Sequence, residues 1–465
     1  MTSIWQQLTL SGSVLTQWFQ YSYVGRFAGL LRSWRQGSWL LQWSEPLGFG
    51  LLSAVFGLAP FVTNALIGLL LLACGAFWLI VTLSDDREVG GLTPIHGMVT
   101  LFWGVMTLAM GLSLVRRAAF EGWTKLTLYV LLFLLMARVL RSPRWRSWLI
   151  TVYLHASLIV SVYGIRQRFF GATALATWVD PESPLSNTIR VYSFLGNPNL
   201  LAAYLLPAIA LSAVAIFHWR GWVPKLLAVT MFGLNTACLI LTYSRGGWIG
   251  FLALAFVLSV LMVQWWSIRF SPFWRVWALP VLLGAMVSVG VLAVLFVEPL
   301  QQRVLSIFAG REDSSNNFRI NVWMSVLEMI RDRPILGIGP GNDAFNLIYP
   351  AYQRPRFSAL SAYSVFLEVT VEAGLLGLAS FLGLLFVAFN QGWSSIQRLR
   401  LVGDRDGLWL VAAIAAIAGL LAHGLVDTVW YRPQVNTLWW FCLALLASFY
   451  LPRSRMADET PESSL

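Results

Sequence analysis

Most of the chain alternates apolar runs of about twenty residues with short breaks rich in Pro, Gly and Arg. A helix needs roughly 20 apolar residues to cross a bilayer. The runs predict twelve spanning helices, over 47–62, 64–83, 96–114, 120–140, 146–168, 199–217, 222–243, 246–268, 277–297, 364–390, 408–428 and 436–451. The first is short, and its separation from the second is the weakest boundary. Trp and Tyr gather near many of the ends, as they do at membrane–water interfaces. The pattern is all-α and polytopic, with no internal repeat of helix pairs visible.

Two regions depart from it. In residues 1–45, Phe27, Leu30, Leu31 and Trp34 recur at i, i+3, i+4, i+7 beside Arg26, Arg32 and Arg35, which predicts a helix lying in the interface. The segment 298–363 is too long and polar for a turn. Within it Ile320, Trp323, Leu327 and Ile330 predict an amphipathic helix from Asn317 to Arg333, stopped by Pro334. The expected organisation is an interfacial segment 1–45, spans in 46–297, a large loop 298–363, spans in 364–452 and a tail 453–465.

Charge then orients the chain. Alternate short connections carry Arg141, Arg144 and Arg146, then Arg220 and Lys225, then Arg269 and Arg275, then Arg398, Arg400 and Arg405. The termini add Arg26, Arg32, Arg35, Arg453 and Arg455. Basic short connections face the cytoplasm, so both termini are expected inside a bacterial inner membrane, with 169–198 and 298–363 outside. Arg116 and Arg117 break the rule.

Composition narrows the function. Of 465 residues, 58% are hydrophobic and 11% charged, against roughly 25% charged in an ordinary soluble domain. That excludes a soluble enzyme, a disordered chain and a disulfide-stapled domain. The net charge of +11 is scattered between apolar runs, so the expected contacts are lipid headgroups and anionic substrates rather than nucleic acid. Only Lys125 and Lys225 among the 32 basic residues are Lys, and Arg is the better two-pronged phosphate ligand. Cys74, Cys238 and Cys442 lie apart inside apolar runs and read as packing residues. His96, His155, His218 and His423 are dispersed, and Asp85-Asp86 sits beside Arg87 and Glu88, so neither a metal site nor a cofactor is expected.

Few polar residues remain to carry chemistry. Arg245, in Leu241-Thr-Tyr-Ser-Arg-Gly-Gly-Trp248, stands at an outer turn where it could bind an anion with Ser244, the Gly pair allowing close backbone approach. Arg319 begins the amphipathic helix, where free backbone N–H groups favour an anion. Gly337-Ile-Gly-Pro-Gly-Asn342 lacks the Lys-Ser/Thr of a phosphate loop and reads as a tight turn. Glu368 and Glu372, at i, i+4, could serve as base and orienter, or pair with Arg245 and Arg319. His423 and Asp427 repeat that spacing and could form a relay or a structural hydrogen bond.

In order, the motifs are Phe194-Leu-Gly-Asn-Pro-Asn-Leu-Leu-Ala202, which contains Asn197 and Asn199, then Tyr243-Ser-Arg-Gly-Gly247, Arg319 with Trp323, Pro334-Ile-Leu-Gly-Ile-Gly-Pro-Gly341, Leu367-Glu368, Glu372-Ala-Gly-Leu-Leu-Gly377 and His423-Gly-Leu-Val-Asp427. Across 194–427 this series resembles the O-antigen ligase and polymerase superfamily. The whole chain looks similar to the cyanobacterial IctB family, whose members are assigned to inorganic carbon transport. The superfamily resemblance implies a GT-C-like multi-helix membrane fold with a large periplasmic loop. It implies transfer of a glycan from undecaprenyl diphosphate to a lipid-borne acceptor without a metal. It also implies two diphosphate-binding arginines, which correspond by motif to Arg245 and Arg319, and a His base at the loop-to-helix junction. That junction commonly reads His-Asn-x-Tyr-Leu, whereas this chain reads Tyr363-Ser-Val-Phe-Leu367. A Tyr, with an ordinary pKa near 10, is a poor base at neutral pH. Glu368 or Glu372 would have to replace the His, or the reaction is altered while the lipid-diphosphate site survives. Three functions stay open: glycan transfer, bicarbonate carriage or its support, and a scaffold. The donor and acceptor glycans and the oligomeric state stay open with them.

Overall fold

The computed structural model describes residues 29–85, 92–171, 190–308 and 310–451. Arg26 and Phe27 of the expected interfacial stripe, Asp86 to Glu88, most of 169–198, and Arg453 and Arg455 lie outside these residues. The described residues are helical, with no strand among them.

The main helices are α1 Ser44–Leu58, α2 Asn64–Leu83, α3 Pro94–Gly111, α4 Arg116–Val139, α5 Pro143–Phe170, α6 Pro198–His218, α7 Trp222–Leu241, α8 Arg245–Trp266, α9 Pro272–Phe296, α10 Glu298–Phe308, α11 Ser314–Asp332, α12 Asn342–Ile348, α13 Val365–Val402, α14 Gly407–His423 and α15 Pro433–Ser448. Among the described residues nine of them, α2 to α9 and α13, are long and apolar enough to cross a membrane. The shorter α1, α14 and α15 stand at the other three expected positions. Proline at the first turn starts α3, α5, α6, α9 and α15, where its missing N–H costs nothing. The interfacial stripe is corrected: Leu30 and Leu31 lie in a turn, and the short helices Arg32–Gly37 and Trp39–Gln42 follow them.

Apolar content alone does not say which helix is central; side-chain size does. α6, rich in Ala and Leu, is buried nearly all round and packs against α7, α8, α14 and α15. In α9 no residue is buried, so it stands at the rim with its apolar surface outward. Buried polar bonds join neighbouring helices, as where Ser161 Oγ donates to Asn235 Oδ1 at 2.6 Å between α5 and α7. Cys74, Cys238 and Cys442 are buried and unbridged.

Short connections place the ends of successive helices together. One end of the bundle carries a second, polar layer made of α10, α11, α12 and their links. Val322, Val326 and Met329 of α11 pack in that layer against Phe345, Tyr349, Ala362 and Val371. The expected helix is present, but its expected stripe is corrected. Leu327 is 54% exposed, and the buried row is Val322–Val326–Met329. Periodicity found a helix with more than one apolar row; the packing partner selected the row.

The polar layer is tied to the bundle through a break in α13. Gly374 takes φ +65° and ψ −165°, which interrupts the helix. The groups freed there are paired by the strap 334–339: Ile338 N–H donates to Val371 O at 2.9 Å, Gly339 N–H to Glu372 O at 2.9 Å and Leu375 N–H to Pro334 O at 2.7 Å. Broken helices survive inside membrane proteins where neighbouring backbone satisfies them. A Cβ on Gly374 would stand 2.2 Å from Ile335 C, so only glycine fits. The Gly-rich segment is therefore more than a turn, since it is the backbone partner of the broken span.

Candidate functional site

The motif residues converge at the layered end around a cavity of about 1210 Å³. Arg190, Arg319, Tyr363, Glu368, Glu372 and Asp427 line its polar wall. Deeper in the bundle Leu71, Phe102, Met106, Tyr129, Phe381 and Trp439 line an apolar wall. A second cavity of about 250 Å³ lies between Arg245, Gly246, Asn316, Arg319 and Trp323. Arg319 lines both.

Each side chain is set by local structure. Ser244 caps α8, its Oγ accepting from Gly247 N–H at 3.1 Å, so its hydroxyl serves the helix start that presents Arg245. Tyr243 before it holds φ +51°. A Cβ on Gly246 would meet the His423 ring at 2.6 Å, so glycine lets α8 approach α14. Arg245 forms an ion pair of 2.8 Å with Asp313, which also accepts from Asn316 N–H at 2.9 Å as the N-cap of α11. Arg319 Nη1 donates to Ser315 Oγ at 2.8 Å, and its Nε is buried without a hydrogen-bond partner among the described residues.

The two glutamates do not pair with these arginines. Glu368 Oε2 accepts from Ala362 N–H at 2.6 Å and Glu372 Oε1 from Gly341 N–H at 2.8 Å, so both bind the polar layer through its backbone. The His423–Asp427 spacing also needs correction. α14 ends at His423, because Gly424 O accepts from Val365 N–H at 2.7 Å and the chain turns away. Asp427 therefore lies beyond the helix, with Thr428 N–H bonded to Oδ1 at 2.8 Å and Asn199 Nδ2 to Oδ2 at 2.7 Å. His423 is fully buried against α8. Asn197 caps α6 by accepting from Asn199 N–H at 2.8 Å.

Tyr363 stands at the junction with φ +50° and its ring edge-on to Phe318. Such left-handed geometry in a bulky residue is strained and tends to collect at functional sites. Burial, then the negative charge of Asp427, pushes its phenol above the ordinary value, against a smaller opposing effect of Arg319. It is a hydrogen-bond donor at neutral pH, not a base. Burial pulls the Arg319 guanidinium below its ordinary value, although Asp427 opposes this.

The sequence reading overlooked Arg190. Its Nε donates to Thr242 O at 3.0 Å and its Nη2 to Asn199 Oδ1 at 3.1 Å. Burial, and next the positive charge of Arg245, lowers it to about 10. The available signal was a basic residue in an expected outward segment, four positions before Phe194. Asp313, partner of Arg245, was overlooked too. Among the described residues no group of His, Cys, Asp and Glu gathers in a metal-holding arrangement.

No curated protein matches the chain. A family model described as O-antigen ligase matches residues 226–382, a stretch that runs from α7 across the polar layer into α13 and contains Arg245, Arg319, Tyr363, Glu368 and Glu372. With its apolar spanning helices, this O-antigen ligase match fits a multi-pass inner-membrane protein and lipid- and glycan-linked substrates.

Proposed function

We propose that this protein transfers a glycan from a polyprenyl-diphosphate donor to an acceptor hydroxyl at the layered, periplasmic face. The observation that carries this reading is one cavity lined by Arg319, Glu368 and the junction residue Tyr363 together with an apolar wall. Arg245 and Arg319 hold the diphosphate, and arginine charge neutralises it in place of a protein-held metal. The apolar wall of this cavity suits the lipid part of the acceptor. Glu368 receives the proton of the acceptor hydroxyl as its oxygen bonds to the sugar's anomeric carbon. The bond from that carbon to the phosphate oxygen breaks, and the diphosphate keeps the electron pair. Tyr363, held neutral, donates a hydrogen bond at the reacting end.

The test is binding of a polyprenyl-diphosphate oligosaccharide to protein in nanodiscs. Arg245→Ala with Arg319→Ala should weaken it by about 100-fold, the loss of two charge-assisted contacts. Wild-type binding no tighter than that of the double variant would sink the reading. Labelled bicarbonate entering proteoliposomes without any such binding would favour the carrier instead.

A further inference from the structure

Two cavities meet at one arginine. Arg245 lines the smaller, Arg190 the larger, and Arg319 both. We propose that Arg190 completes a two-phosphate site, in which Arg245 and Arg319 hold the phosphate nearer the lipid while Arg319 and Arg190 hold the phosphate that bears the glycan. This rests on the transfer reading above and adds to it a residue and a selectivity.

The geometry of Arg190 carries the argument. Two of its nitrogens, Nε and Nη2, are held by Thr242 O and Asn199 Oδ1. That fixes the plane of the guanidinium and leaves Nη1 for the cavity that the residue lines. Asn199 also donates to Asp427, so one short chain of bonds positions Arg190 and the carboxylate opposite it. Arg190 bonds only to neutral groups near two other arginines, a positive cluster that Asp427 offsets in part and that a bound anion would complete. A monovalent anion needs one such fork; a diphosphate, with charge on two centres, can use three arginines. The smaller cavity also has Ile249, Ile320, Trp323 and Val426 in its walls, apolar groups suited to the start of a prenyl chain. The larger has Tyr363 and Glu368, the groups assigned to the acceptor. Charge grows on the glycan-side phosphate as the sugar–oxygen bond breaks, so Arg190 stands where that growth is greatest.

The experiment compares binding of farnesyl diphosphate and farnesyl monophosphate to the full-length protein in nanodiscs, with melting curves to confirm folding. Wild type should prefer the diphosphate by about tenfold, the worth of one more charged contact. Arg190→Gln should bring the two ligands within about threefold by weakening the diphosphate and leaving the monophosphate nearly unchanged. Arg190→Lys, which keeps the charge but loses the fork, should fall between. Arg245→Gln should weaken both ligands. An Arg190→Gln protein, folded and still holding the wild-type preference, would overturn this inference and leave the transfer reading standing. Wild type binding neither ligand would remove both.

Discussion

The two ends of the helix bundle differ in how much of their charge is paired. At the end away from the polar layer, acids and bases are clasped together. Asp406 bonds both Arg146 and His218, and Asp85 bonds Arg138 at 2.6 Å with Arg35 at 3.6 Å. At the layered end, Arg190 and Arg319 bond to neutral oxygens, and Glu368 and Glu372 accept from backbone N–H groups. Ion pairs occur there too, Arg245 with Asp313 and Lys125 with Asp343, but among the described residues Arg190 and Arg319 share the cavity wall with Glu368 and Glu372 without pairing to them. Clasped pairs complete their own hydrogen bonding and lock connections in place. Separated charges in a poorly hydrated site are costly unless a ligand completes them. These unpaired cavity charges are what the proposed function draws on at the layered end, whereas the opposite end carries clasped pairs.

The largest effect that would break this comparison is chemical. Glu368→Gln should lower glycan transfer by about 10²-fold or more while donor binding holds within about threefold. A product assay showing full transfer would return Glu368 to a purely structural role. Next is Gly374→Ala, which places a methyl group into the strap and forces a strained φ, costing about 2 kcal/mol or more. It should show as a lowered melting temperature with faster amide exchange across 334–341.

Asp313 gives a smaller test, of opposite sign. As the anion already at Arg245, it competes with phosphate. Asn at this position keeps the α11 cap. Asp313→Asn should therefore tighten donor binding by about threefold, the scale of a partly exposed ion pair. Weaker binding would show that the pair positions Arg245 instead.

The smallest effect lies at the clasped end and should leave donor binding unchanged. Burial raises the Asp406 carboxyl, but the hydrogen bond from His218 and the charge of Arg146 outweigh it and hold the group below its ordinary value. A carboxyl lowered on folding stabilises the protein fully above about pH 4 and loses that contribution as pH falls through the folded value. Asp406→Asn should remove this acid-side part of the pH dependence of the melting temperature. An unchanged profile would mean that the clasp adds nothing to stability.

Much of the fold was legible because its cause is local. Run length and hydropathy predicted spanning positions, and the helix from Asn317 was found within three residues of its true start. Tertiary competition hid the rest. Ile320, Trp323 and Leu327 form as good an apolar row as Val322, Val326 and Met329, and only the arrival of Phe345 and Tyr349 selects between them. The i, i+4 spacing of His423 and Asp427 implied a shared face, but α14 ends at His423, where Gly424 O accepts from Val365 N–H at the far end of the preceding helix.

What the sequence alone determined is a basic, apolar chain of many spans in which a few arginines stand apart from the orientation rule. Hydropathy, helix start signals and motif order are properties of neighbouring residues, so one chain suffices to read them. Partnership is different. That Asp313 meets Arg245, that Asn199 joins Arg190 to Asp427, and that a glycine-rich strap repairs a broken helix all depend on contacts between residues tens to hundreds of positions apart. No local preference encodes such contacts. They are decided when the helices pack, by which polar groups would otherwise be buried unbonded, and the same packing left Arg190 and Arg319 bonded to neutral oxygens rather than to the glutamates.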